Sequence, residues 1–186
     1  MKMVYESQNE LLLKKLMNYY SHEDNFNKML SIINGESKIS LRIVDWFSTN
    51  YAKKNFTTYD LDTVPRFKIY NDYKLKLKAY SKRRFDPFCR WDRIKVPFGD
   101  KEFSIETTIG QLNFFKWAIE NKIIDYIETN YDIIEEDMNA NNSISKSKKH
   151  NDSLTNNKSR KRREELSVSA AKCLKKEKAD ITFKFN

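Results

Sequence analysis

The chain is expected to fold as one α+β domain: a small antiparallel sheet packed with N-terminal helices and one long central helix, with a disordered basic insertion near the C-terminus. Three observations carry this. From Arg93 to Phe98 the apolar residues Ile94, Val96 and Phe98 alternate with polar ones, and Phe103, Ile105 and Thr107 repeat the alternation after Gly99-Asp100, which is the signature of a hairpin. At Thr108 the period changes. Thr108 and Gln111 stand at capping-box spacing, and Ile109, Leu112, Phe115, Ile119, Ile123 and Tyr126 then recur every three or four residues, so a helix is expected from Ile109 to Ile127. The first third of the chain repeats the helical period three times over.

Taken in order, Tyr5 to Tyr20 carries the stripe Leu12, Leu13, Leu16, Met17 and Tyr20, with Lys14 and Lys15 outside it. His22 to Ile33 places Phe26, Met29, Leu30 and Ile33 on one face and ends at Asn34-Gly35. Ser40 is placed to cap a third helix whose buried surface is Leu41, Val44, Trp46, Phe47 and Tyr51. These make an N-terminal helical layer, residues 1–54. Asn55 to Pro65 is polar and ends in proline, a connection. Phe67 and Ile69, then Tyr73, Leu75, Leu77 and Ala79 alternating with lysines, read as two strands around Asn71-Asp72, although Tyr73, Leu77, Tyr80 and Arg84 also fit a helix. With the hairpin and long helix they complete the core, residues 55–138; Tyr131 to Met138 is acidic and extends or follows that helix. Residues 139–163 are rich in Asn, Ser and Lys without periodic apolar positions, so nothing there offsets the entropy of ordering, and a disordered linker is expected. In residues 164–186, Leu166, Val168 and Ala170 alternate, as do Ile181, Phe183 and Phe185, giving two more strands to dock on the sheet.

The charge is unevenly spread. Of 35 Lys+Arg and 26 Asp+Glu, roughly eight basic residues and one acidic lie between Asn139 and Arg163, leaving the remainder nearly neutral. Within that remainder, Asp72 to Lys101 is basic and Ile119 to Met138 is acidic. Cys89 and Cys173 have no metal or disulfide spacing, which suits a reducing compartment. No apolar run reaches transmembrane length, and Glu6 falls where a leader peptide needs its apolar centre, so no membrane partner is expected.

Two basic constellations stand out as nucleic-acid contacts. Lys158, Arg160, Lys161, Arg162 and Arg163, with Lys146, Lys148 and Lys149 upstream, form a cluster that suits a phosphate backbone or a nuclear-import receptor, because loose cations release counterions without exact geometry. The structural alternative is a solvated tail. Lys74, Lys76 and Lys78 would line one face of a strand, continued by Lys82, Arg83, Arg84, Arg90 and Arg93 with Tyr80, Phe85 and Trp91 interleaved; cations hold phosphates and rings stack on bases. Here the alternative is an amphipathic strand whose aromatics complete the core. Cys89 reads as a small buried residue, and neither His22 nor His150 has a partner for nucleophilic catalysis. Carboxylates from Asp125 to Asp137 lack calcium-loop spacing and read as a solvated acidic face, open to the basic half of a neighbouring copy. Three glycines leave no phosphate-cradling loop, and no metal, cofactor or catalytic residue is expected.

The stretches Leu41-Arg42-Ile43-Val44-Asp45-Trp46-Phe47-Ser48-Thr49-Asn50-Tyr51, Leu77-Lys78-Ala79-Tyr80-Ser81-Lys82, Phe85-Asp86-Pro87-Phe88-Cys89-Arg90 and Thr107 to Asn121 together resemble an uncharacterised protein family of the giant nucleocytoplasmic large DNA viruses, as in mimivirus- and phycodnavirus-like genomes. The resemblance spans Leu41 to Met138, extends in its widest form to the terminal Leu166 to Asn186, and implies a viral origin and an intracellular cycle, in a viral factory or the host nucleus, or packaged in the virion. It brings no catalytic residues. The expected function is non-enzymatic association with DNA or RNA in genome handling, late expression or packaging; the alternative is a virion structural or assembly adaptor that binds viral proteins.

Overall fold

Ser7 opens the first helix with a closed capping box, its Oγ accepting the Glu10 N–H at 3.3 Å while Glu10 accepts the Ser7 N–H at 2.6 Å. The computed structural model describes residues 7–88, 92–98, 103–152 and 177–178. Helix α1 (Gln8–Tyr20) buries Leu16 and Tyr20; α2 (Glu23–Asn34) buries Phe26, Met29, Leu30, Ile32 and Ile33 and stops at Gly35, whose φ of 76° only glycine adopts cheaply. Ser40 caps α3 (Leu41–Trp46) by accepting the Ile43 N–H, as expected. The rod then widens into a π turn at Phe47–Tyr51 before α4 (Ala52–Lys54). The hydroxyls of Ser48 and Thr49 cause part of this, since they donate to the carbonyls of Val44 and Asp45 at 2.8 and 2.7 Å, competing with the amides of the next turn.

Two strands were expected between Phe67 and Ala79, and here the structure differs. Phe67–Lys68 (β2) pairs with Thr58–Tyr59 (β1) in a minimal ribbon, after which the chain is helical as α5 (Ile69–Arg84). The buried positions decide it: Ile69, Tyr73, Leu77 and Tyr80 recur at helical spacing and meet the core, while Leu75, inward on a strand, is 65% exposed. A kink follows at Ser81 (φ 65°), and beyond it Phe85 turns back into the interior between Tyr73, Tyr80, Phe114 and Trp117.

The hairpin matches expectation, with β3 (Arg93–Phe98) antiparallel to β4 (Phe103–Thr108) and Val96 opposite Ile105 in the core. Thr108 caps α6 (Ile109–Glu120) by accepting the Gln111 N–H at 3.1 Å. The single helix expected to Ile127 is instead two. Tyr59 donates its hydroxyl to the Asn121 carbonyl at 2.5 Å, occupying the acceptor that an unbroken helix would offer to residue 125, and Lys122 turns left-handed (φ 54°) before α7 (Ile123–Thr129). Helix α8 (Tyr131–Asp152) runs through the first part of the segment expected to be disordered: an acidic start and the buried Ile134 and Met138 seed it, and the backbone stays helical to Asp152. Glu177–Lys178 (β5) joins the outer edge of β4, opposite Ser104 and Phe103. The expected strands around Leu166 to Ala170 and Ile181 to Phe185 lie outside the described residues, as does residues 153–163.

Helix α6 is the hub. Leu112, Phe114, Phe115, Trp117 and Ala118 are all buried in it, with α1 against one flank and α5 against another. The Tyr20 hydroxyl donates to the Leu112 carbonyl at 2.7 Å in the interior; Asn113 donates to the Arg84 carbonyl at 2.9 Å on the other side.

Candidate nucleic-acid interface

Helical geometry redistributes the lysines that a strand would have aligned. Lys74 and Lys78, one turn apart on α5, share an exposed face, whereas Lys76 falls on nearly the opposite side and is half-buried. The face is oriented by Trp117, whose indole N–H donates to Asp72 at 2.6 Å and fixes the rotation of α5 on α6. Asn71, Lys74, Leu75 and Lys78, with the partly buried Tyr70 and Leu77, line an open groove of about 620 Å3. Lys53 joins from α4, its Nζ 5.6 Å from the centre of the Tyr70 ring, a contribution that no local pattern in the chain announces. Lys82 is exposed beyond the kink, and none of Lys74, Lys76, Lys78 or Lys82 has an ion-pair partner among the described residues.

The neighbouring arginines are differently employed. Arg83 pairs with Asp92 at 3.0 Å and Arg93 with Glu106 at 3.4 Å. Arg84 donates to Asn9 at 2.8 Å and to Gln8 at 2.9 Å, fastening the end of α5 to the first turn of α1. Phe85 is fully buried and holds the core, so it offers no ring to a base; Tyr80 is half-buried against it. Arg90, Trp91 and Cys89 lie outside the described residues, as do Lys158, Arg160, Lys161, Arg162 and Arg163. The Phe85-Asp86-Pro87-Phe88 motif is a corner: Asp86 accepts the Phe88 N–H at 2.8 Å, and Pro87 is buried.

The acidic stretch is largely solvent-exposed, and three of its carboxylates pair across the fold with exposed lysines. Asp125 pairs with Lys28 at 3.0 Å, Asp132 with Lys38 at 3.1 Å, and Asp137 with Lys54 at 2.5 Å, so carboxylates of α7 and α8 fasten the N-terminal layer to them. Asp137 also accepts the Trp46 indole N–H at 3.1 Å; burial pushes its carboxyl up, but the bonds from Lys54 and Trp46, the Lys54 charge and Asn141 together hold it below the ordinary carboxylate range. Asp45, on α3, is the reverse case. Burial, then the charge of Asp86, pushes its carboxyl up to about 7. Tyr73, packed close by, is raised to about 12 by burial and then by the charges of Asp45, Asp86 and Tyr70.

No described helix is long and apolar enough to cross a membrane. No solved structure matches the chain. An uncharacterized protein of Acanthamoeba polyphaga mimivirus is 50% identical over 130 residues, covering 66% of this chain and 50% of that relative, so the chain spans about half the length of the curated protein it matches. The model of a family of unknown function, DUF7197, matches residues 2–186, which takes in the N-terminal helices as well as the resembling stretches from Leu41 onward. On that match, and with a mimivirus relative identical at half of the aligned positions, the chain belongs to DUF7197, an uncharacterised giant-virus protein family.

Proposed function

We propose that this chain is a non-enzymatic nucleic-acid-associated viral protein, acting on DNA or RNA in genome handling, late expression or packaging, in a viral factory or the host nucleus. The observation that carries the reading is the exposed α5 face, where Lys74 and Lys78 flank Leu75 beside Tyr70 with no carboxylate partner among the described residues. Uncompensated cations around an apolar and aromatic strip suit a sugar–phosphate backbone and its bases better than they suit an acidic small molecule. The basic cluster Lys158 to Arg163 adds affinity by counterion release without needing fixed geometry. Binding of the full chain to single- and double-stranded oligonucleotides should weaken steeply with salt. Replacing Lys74 and Lys78 by alanine is expected to lower the log–log salt slope by about two units, and neutralising Arg160, Lys161, Arg162 and Arg163 by about four. Absence of binding at physiological salt by the unaltered chain would sink this reading.

One observation favours the adaptor reading instead. Leu75 and Ile133 are 65% and 60% exposed on helices of opposite charge, Ile133 standing between Asp132 and Glu136 on α8. An adaptor would retain viral protein partners after nuclease treatment, whereas a nucleic-acid tether would release them.

A further inference from the structure

Among the described residues, Phe56 is the most exposed large apolar side chain, at 84%, and it stands where the backbone disfavours it. Helix α4 ends in a closed turn. The Asn55 N–H and its side-chain amide both donate to the Tyr51 carbonyl, at 2.9 and 3.1 Å, and the Thr57 N–H reaches back to the Ala52 carbonyl at 3.1 Å. That closure places position 56 in the left-handed region, with φ 50°, where helices ordinarily carry glycine because a Cβ crowds the following carbonyl. The other left-handed non-glycine residues described, Arg66, Ser81, Asp92 and Lys122, are polar. Single apolar side chains at a surface are ordinary, but a phenylalanine that adds backbone strain and gains no burial is not, and such strain gathers at sites that bind. The surroundings of Phe56 indicate what it binds. Helix α4 packs on α5, and Lys53, three residues before Phe56, holds its Nζ 5.6 Å from the centre of the Tyr70 ring. The pairing of Thr58 with Lys68 joins the two segments again, two residues from Phe56 on one side and two from Tyr70 on the other. Tyr70 in turn lines the α5 groove with Lys74 and Lys78.

We propose that Phe56 is a base-stacking ring at the α4 end of the α5 groove, where an unpaired nucleobase lies on its face while Lys53, Lys74 and Lys78 hold the phosphates of the same single strand. The inference rests on the nucleic-acid reading above and deepens it, naming single strands over duplex as the form bound, because a base inside a duplex has both faces covered by its neighbours. The ring is positioned before any strand arrives: the bonds at Tyr51 and Ala52 close the turn beneath it, and the pair between Lys54 and Asp137 fastens α4 to α8. A ring held this way loses little freedom on stacking.

The test compares the unaltered full chain with Phe56→Gly and Phe56→Trp, binding a thymidine oligonucleotide and a duplex of the same length across a salt series. F56G is expected to bind the single strand about tenfold more weakly at an unchanged log–log salt slope, since the ring carries no charge, and to leave duplex affinity as it was. Its urea midpoint is expected to hold or rise, because glycine is at ease in the left-handed region, so the loss of binding cannot be damage to the fold. F56W is expected to keep the affinity, and the emission of its added indole to be quenched as the single strand binds. Unchanged single-strand affinity in F56G, with K74A/K78A weakened, overturns the stacking role alone; if the unaltered chain is then dimeric and F56G monomeric, the ring docks on a second copy instead. Equal losses on single strand and duplex also overturn it, since the ring would then act through the groove and not on a base. Absence of binding by the unaltered chain overturns the stacking role together with the reading it rests on.

Discussion

Asp45 sits in an environment unfavourable to its charge. Its carboxyl holds a proton more tightly in the folded chain than in the unfolded one, where 3.8 is the ordinary value. Between about pH 4 and pH 7 the folded state therefore binds the extra proton, and stability falls as pH rises through that window; above pH 7 the full cost of a buried charge near Asp86 is present. Asp45→Asn is expected to be more stable than the unaltered chain by about 1–2 kcal/mol at pH 8 and to flatten the pH dependence between 4 and 7, which urea denaturation at several pH values reads directly. Equal stability of the two proteins at pH 8 would mean that water relieves the carboxyl. Little of this was legible in the sequence. Asp45 stands in an ordinary amphipathic stretch, and the charge that faces it, Asp86, comes from the distant segment that ends in the Phe85–Phe88 corner. The capping residues, by contrast, were legible because their partners are three positions away: Ser40 with Ile43 and Thr108 with Gln111.

Elements followed the same division between local and distant causes. The β3–β4 hairpin was readable because both strands carry the period-two pattern around one turn. Helix α5 was misread because Tyr73 to Ala79 satisfies two periods at once, and the deciding fact, that Trp117 and Phe114 receive Tyr73 and Asp72, lies in another helix. The division between α6 and α7 was likewise unreadable, since the acceptor at Asn121 is claimed by Tyr59 from far upstream. Lys122 holds φ 54° with a side chain and gains in return an ion pair with Asp62, 53% and 86% exposed at 2.9 Å, which is worth little. Lys122→Gly and Lys122→Ala both lose the pair, but glycine alone is at ease in the left-handed region, so the glycine protein should be about 1 kcal/mol more stable than the alanine one in urea denaturation. Matching values would mean that the α6–α7 joint is not left-handed in solution.

At the scale of the whole molecule, electrostatics hold the protein together weakly and are expected to govern its binding strongly. The pairs Lys28–Asp125 and Lys38–Asp132 are well exposed, and the interior that does the holding is apolar, from Leu16 and Met29 through Phe47 and Phe85 to Phe115. Raising NaCl from about 0.05 to 0.5 M should therefore move the thermal midpoint by no more than a few degrees, while oligonucleotide affinity, if four phosphates are contacted, drops by about a thousandfold or more. A parallel collapse of stability would reveal ion pairs as the main support of the fold. The placement of two tryptophans makes such experiments easier to read. Trp117 is 3% exposed inside the α5–α6 contact and Trp46 is partly exposed where α3 meets α8, each with its indole N–H held by a carboxylate. Their intrinsic fluorescence thus samples two different seams of the same body: the bluer emission of Trp117 reports loosening at the hub, and that of Trp46 the detachment of the N-terminal layer, so once the third tryptophan is removed as Trp91→Phe, a comparison of Trp46→Phe with Trp117→Phe in that background gives each seam its own optical signal without a foreign label.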